Sequence, residues 1–170
     1  MEIAEVHNAM AGVKVLDFSH VQSGPICTAM LADMGGEVVK IEPFIGDQFR
    51  EPMEGANFFN FNRNKRAMAL NLKTPEGKEI VLKLTKNSDV LVENFLPGSM
   101  DKLGLGYEAI SRIQPGIIYC SISGFGQEGP FRHRPAYEPI LQAMSGIMDS
   151  TGEPDRPPVR IRPAMIDYCT

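Results

Sequence analysis

The feature that most restricts the fold is an alternation of short apolar runs with helix-spaced segments, recurring about every 25 residues along the whole chain. The stretches 13–18 (VKVLDF), 37–42 (EVVKIE), 67–72 (AMALNL), 89–93 (DVLVE) and 116–123 (GIIYCSIS) each read as strands. Between the first two, residues 24–34 place Ile26, Met30 and Leu31 on one helical face and stop at Gly35-Gly36. A second helix is predicted over 74–86, with Thr74 as N-cap and Pro75 in the first helical position. Shorter helices are expected over 98–103 and 107–113, and a longer one over 138–148, before a Pro- and Arg-rich loop over 149–163. This order predicts an α/β fold: a Rossmann-like, mainly parallel sheet with flanking helices and right-handed crossovers. Ligands of such sheets lie beyond the carboxyl ends of the strands, which directs attention to loops 19–25, 43–56, 94–98 and 124–137.

Composition narrows the function classes. At 170 residues the chain fits one domain, or one domain with part of a second. A net charge of -4 provides no general attraction to nucleic acid or anionic membrane. No apolar run is long enough to cross a bilayer, and residues 1–12 lack the basic and apolar regions of a secretory signal. Cys27, Cys120 and Cys169 form no CxxC pair, so neither a zinc site nor a disulfide framework is expected, and a reducing cytoplasm is the simplest compartment.

One motif is misleading. Gly124-Phe-Gly126-Gln-Glu-Gly129 fits GxGxxG, and Asp149 lies 20 residues further on. The third glycine of a dinucleotide fingerprint opens a helix, however, and here Pro130 follows at once. The motif also follows the fifth strand rather than the first. It reads as a glycine loop beside a site.

The segment Val15-Leu-Asp17-Phe-Ser-His20-Val21-Gln22-Ser23-Gly24-Pro25 resembles the opening strand and loop of the class III CoA-transferases, a superfamily that also includes α-methylacyl-CoA racemases. The resemblance continues through Gly36–Glu42 (GEVVKIE), Asn64-Lys65-Arg66, the LKTPEG of 72–77, the DVLVENF of 89–95, Pro97-Gly98, the glycine loop with Pro130, Tyr137-Glu138, Gln142-Ala143, Gly146 and Asp167-Tyr168. It spans nearly the whole chain in order.

The resemblance implies transfer of CoA between carboxylic acids, with acyl-CoA as a substrate and no permanently bound cofactor or metal. It makes Asp167 the nucleophile, and Gln22 with backbone N–H groups near Ser23 and Gly24 the donors to the developing oxyanion. Glu138 is expected either to orient groups in the site or to cap its own helix. The CoA site implied by the resemblance comprises Val21, Gln22, Leu70, Lys73, Asn94, Phe95 and Lys102, with His20, Ser23, Asn71 and Tyr137 beside it. Lys65 and Arg66 are close enough in sequence to assist, or else form a solvated turn.

Several positions depart from the formyl-CoA transferase pattern, notably Pro43, Lys102 and Pro135 in place of basic residues. The racemase branch carries a catalytic His where Tyr137 stands, which favours transferase over racemase. A CoA-binding fragment that needs a second chain is the further alternative. Relatives continue through a second domain and interlock as dimers, so residues 1–170 are expected to be the N-terminal portion of the large domain. Such a portion is expected to work as a homodimer or with another chain, and not alone.

Overall fold

The computed structural model describes residues 8–50 and 56–170. Five strands, β1 (Lys14–Asp17), β2 (Glu37–Glu42), β3 (Arg66–Ala69), β4 (Val90–Glu93) and β5 (Ile118–Ser121), form one sheet in the order β3-β2-β1-β4-β5. Every pairing is parallel. The chain steps outward from β1 to β3, then returns to lay β4 on the other side of β1. That reversal opens a crevice at the carboxyl ends of β1 and β4.

Eight helices accompany the sheet among the described residues: α1 (Ser23–Asp33), α2 (Ala56–Asn62), α3 (Pro75–Thr85), α4 (Ser99–Leu103), α5 (Tyr107–Ser111), α6 (Glu138–Met144), α7 (Ile147–Thr151) and α8 (Met165–Cys169). Successive strand residues face opposite sides of a sheet. Leu16, Ile41 and Leu91 therefore join one apolar cluster, packed with Val81 of α3, Met100 of α4 and Ile110 of α5. Val15, Val38 and Val92 join a second cluster on the other face, with Ala32 of α1. Cover on both faces explains why the inner strands read as nearly continuous apolar runs.

The expected elements form, with three differences. The third strand ends at Ala69 and lies exposed at the sheet edge, although Leu70 N still donates to Glu42 O at 2.8 Å. The helix expected over 138–148 breaks after Met144, where Gly146 turns left-handed at φ 80° and α7 begins and runs on into the expected loop. Helices α2 and α8, of 7 and 5 residues, have no counterpart in the sequence reading. Helices this short are unstable alone and form only where tertiary contacts hold them. The readings of 1–12 as lacking a leader and of 43–56 as loop fall partly on residues 1–7 and 51–55, outside the described residues.

A buried ion pair ties the middle of this fold together. Asp17, at the end of β1, is fully buried and meets Lys65 Nζ at 2.9 Å. The same ammonium donates to Pro25 O at 2.8 Å and Asn62 Oδ1 at 2.9 Å, so it joins β1, the start of α1 and the end of α2. Burial pushes the Lys65 ammonium down to about 8, against the opposing pull of Asp17.

Two stability tests follow. Thr74 Oγ1 accepts from Gly77 N at 3.2 Å at the start of α3, so Thr74→Ala is expected to cost about 1 kcal/mol, read as a lower urea midpoint. Lys65→Met leaves Asp17 buried without its counter-charge and is expected to cost about 3–5 kcal/mol in the same measurement.

Candidate active site

The turn that follows β1 is fixed from three directions. Ser19 N donates to Asp17 Oδ1 at 2.9 Å. Lys40 Nζ, rising from β2, donates to Ser19 O at 2.6 Å. From β4, Asn94 brackets His20: His20 N donates to Asn94 Oδ1 at 2.9 Å, and Asn94 Nδ2 donates to His20 O at 2.8 Å. Thus held, Val21 adopts φ 66°, a left-handed backbone that a β-branched residue rarely takes. Gly24 then opens α1 against this turn. A Cβ there would lie 2.3 Å from Ser19 Cβ, so only glycine allows the helix start to approach so closely.

This turn forms one wall of a cleft of about 370 Å³. His20, Val21, Gln22 and Ser23 line it together with Asn94, Phe95 and Leu96 after β4, Ser123 and Gly124 after β5, and residues 134–137. Asp167 of α8 lines the same cleft. Its position is set by Glu138, the first residue of α6, which is buried and accepts from Ile166 N at 3.1 Å and Asp167 N at 3.0 Å. Gln142, one turn along α6, donates to Glu138 Oε1 at 2.6 Å and accepts from Ile161 N at 3.0 Å. Burial pushes the half-buried Asp167 carboxyl above its ordinary value, and the charge of Glu138 adds to the rise. Burial holds the His20 imidazole below its ordinary value, with Asp47 opposing.

A second, more apolar groove of about 670 Å³ runs over the ends of β2 and β3. Leu70, Asn71 and Lys73 line it, facing Phe44 and Ile45 of the loop after β2. His20 and Phe95, with ring centroids 5.0 Å apart, belong to the walls of both cavities and form the ridge between them.

The residues singled out in the sequence therefore divide. Gln22, Val21, Ser23, Tyr137 and Asp167 meet in the cleft, Leu70, Asn71 and Lys73 in the groove, and Asn94, His20 and Phe95 lie around their junction. Glu138 lies beneath the cleft wall and holds the backbone of Asp167. Lys102, exposed on α4, lines neither cavity. Lys65 is committed to Asp17, and Arg66 pairs with Glu37 on the surface at 3.2 Å. The 124–129 loop opens no helix and contributes Gly124 to the cleft. Sequence reasoning did not identify Arg134, Ser99 and Ser123 in the cleft, or Lys40 and Asp47 beside the groove. The one signal for Lys40 was a lysine amid the apolar residues of a run read as a strand. Among the described residues no group of His, Cys, Asp and Glu is placed to hold a metal ion, and no helix is long and apolar enough to cross a membrane.

Chemically, the cleft is lined by a half-buried carboxylate, an amide side chain and the backbone that follows two parallel strands. Residues 10–170 match the family model described as CoA-transferase family III. The chain is 46% identical over 168 residues to succinyl-CoA:glutarate CoA-transferase of Mus musculus, covering 95% of this chain and 38% of that protein. It is 46% identical over 157 residues to formyl-CoA:oxalate CoA-transferase of Streptomyces avermitilis, covering 89% and 38% respectively. A crystal structure of a CAIB/BAIF family protein from Brucella suis superposes with a TM-score of 0.90 at 41% identity, over 94% of this chain and 45% of that one. The chain thus spans less than half the length of these relatives. By family match, identity and fold together, it belongs to CoA-transferase family III.

Proposed function

We propose that the protein transfers CoA from an acyl-CoA to a free carboxylic acid through covalent intermediates on Asp167. The observation that carries this reading is the placement of Asp167 in one cleft with Gln22, Ser23, Asn94 and Phe95, at the sheet's topological switch point. The names of relatives, which specify glutarate and oxalate, support a dicarboxylic acid as one substrate.

The Asp167 carboxylate attacks the thioester carbonyl, and collapse of the adduct releases CoA thiolate and leaves a mixed anhydride on Asp167. The thiolate then attacks the aspartyl carbonyl, freeing the first acid and forming an aspartyl-CoA thioester. The incoming carboxylate attacks that thioester, again releasing the thiolate, which takes the new acyl group from the second anhydride and restores Asp167. No proton or electron is gained or lost over the cycle. Each addition places negative charge on a carbonyl oxygen, which the Gln22 amide and N–H groups near Ser23 and Gly24 stabilise. The pantetheine arm lies across the ridge formed by His20 and Phe95. The adenosine end occupies the groove with Leu70 and Asn71, and Lys73 meets its phosphates. Exposed Lys102 meets the same phosphates from solvent, as a point charge. Residues 1–170 serve as the N-terminal portion of the large domain, and catalysis requires a homodimer or a second chain, in the cytoplasm.

Incubation of the full chain with acyl-CoA and hydroxylamine is expected to yield a hydroxamate at Asp167, located by mass spectrometry of the peptide. Asp167→Asn is expected to abolish the adduct and lower kcat on the order of 10³-fold or more. Recovery of the hydroxamate at any other residue would overturn the assignment. The nucleophile must be ionised, so kcat/KM falls as pH drops through the raised pKa of Asp167. Glu138→Gln removes a charge that contributes to the rise, and is expected to move this acid limb to lower pH in a pH–rate profile.

A further inference from the structure

Lys40 and Asp47 make a buried ion pair at 3.0 Å, each side chain 1% exposed. Lys40 also donates to Ser19 O at 2.6 Å. Asp47 Oδ1 accepts from Phe49 N at 2.9 Å, whereas Oδ2 accepts no hydrogen bond among the described residues and faces the Lys40 charge alone. The loop carrying Asp47 is braced. Asp47 N donates to Glu42 Oε2 at 3.0 Å, and Glu42 holds Arg50 at 2.7 and 2.6 Å. The Arg50 guanidinium lies 4.0 Å over the Phe58 ring. This loop presents Phe44 and Ile45, 77% and 92% exposed, to the apolar groove. Lys40 and Asp47 line that groove and neither lines the Asp167 cleft.

We infer that Lys40 and Asp47 are a positioning pair through which a CoA ester seated in the groove sets the Ser19–Gln22 turn of the Asp167 cleft. The reading rests on the CoA-transferase function proposed above. Its physical basis is the order of contacts. A ligand against Phe44 and Ile45 loads the loop that contains Asp47. Asp47 fixes the ammonium of Lys40, and that ammonium fixes the carbonyl of Ser19. Two residues later Val21 stands in a left-handed conformation that its own preferences oppose, and the oxyanion donors follow directly. A buried charge pair suits this role, because either member alone is strongly disfavoured in the interior, so the loop and the Ser19 carbonyl are held to one another.

The test uses the full chain with Asp47→Asn, Lys40→Met and the double variant, each first checked for cooperative thermal melting. Two quantities are read: steady-state kcat with KM for acyl-CoA and acid, and hydrogen exchange of residues 18–24 with and without free CoA. Asp47→Asn is expected to lower kcat about ten- to a hundredfold, the scale on which a displaced site loses rate, with KM for the acid unchanged. The double variant is expected to match Lys40→Met alone, since the two act in series. CoA is expected to protect residues 18–24 in the wild type and not in Asp47→Asn. An active wild type with unaltered kcat in a folded Asp47→Asn variant, or single effects that multiply in the double variant, would overturn the link. If CoA protects residues 18–24 in a wild type that transfers no CoA, the proposed function fails while the link stands.

Discussion

The Asp17 carboxylate, fully buried at the end of the central strand, accepts at once from Ser19 N, the Ser19 hydroxyl, Thr28 Oγ1 at 2.6 Å and Lys65 Nζ. A carboxylate taken out of water at such a place is held only if its lone pairs are filled and a counter-charge is near. Here both conditions are met, and the donors come from three different parts of the chain. Ser19 belongs to the turn after β1, Thr28 to α1, and Lys65 to the segment before β3. The charge therefore specifies where the turn, the helix start and the outer strand must converge. Hydrophobic burial on the two faces provides cohesion without such precision, because apolar packing is nondirectional.

That convergence explains how the cleft sustains a strained residue. A left-handed valine costs about 1–3 kcal/mol, and it persists only where its surroundings over-determine it. Asp17 from below, Lys40 from β2 and Asn94 from β4 do so through hydrogen bonds to residues 19 and 20. With a CoA ester seated in the groove, the proposed donors beyond Val21 are then in place before the thioester carbonyl is attacked. Donors that need not reorganise during the reaction stabilise developing charge far better than mobile ones. The close approach of Gly24 to Ser19 completes the wall by bringing the first turn of α1 to the same point.

The sequence revealed the frame of this arrangement more fully than its fastenings. Strand positions follow from apolar runs, and α3 follows from Thr74-Pro75, because these signals are local. The order of site segments was legible through family resemblance, since Gln22, Asn94 and Asp167 each lie in a recognisable stretch. What could not be read depends on distant partners. Helix α8 has five residues and no cap of its own; its N-terminal amides are satisfied by Glu138, 29 residues earlier in the chain. The triplet Asn64-Lys65-Arg66 reads either as an aid to the CoA site or as a solvated turn, and only the fold shows its lysine turned inward to Asp17 and its arginine outward to Glu37. Lys40 is similar: nothing local says that its ammonium has a buried partner seven residues later and a carbonyl across the sheet.

The two walls of the cleft are built differently, and the proposed chemistry accounts for the difference. The side proposed to hold the oxyanion is the turn after the central strand, and it is fixed by buried charges. The nucleophile side is suspended from α6 through Glu138 and Gln142, and α8 leans on the body through an edge-on contact of Tyr168 with Phe61 at 6.2 Å. In the proposed cycle Asp167 forms bonds in turn with an acyl carbon, with CoA sulfur through its own carbonyl, and with a second acid, and each partner asks for a different reach. The donors must serve every adduct from one place. A rigid donor wall opposite a nucleophile on a short, separately held helix satisfies both demands. Burial, with the charge of Glu138 adding to it, keeps the Asp167 carboxylate more basic than a solvated acid, which in the proposed cycle increases its nucleophilicity toward a thioester.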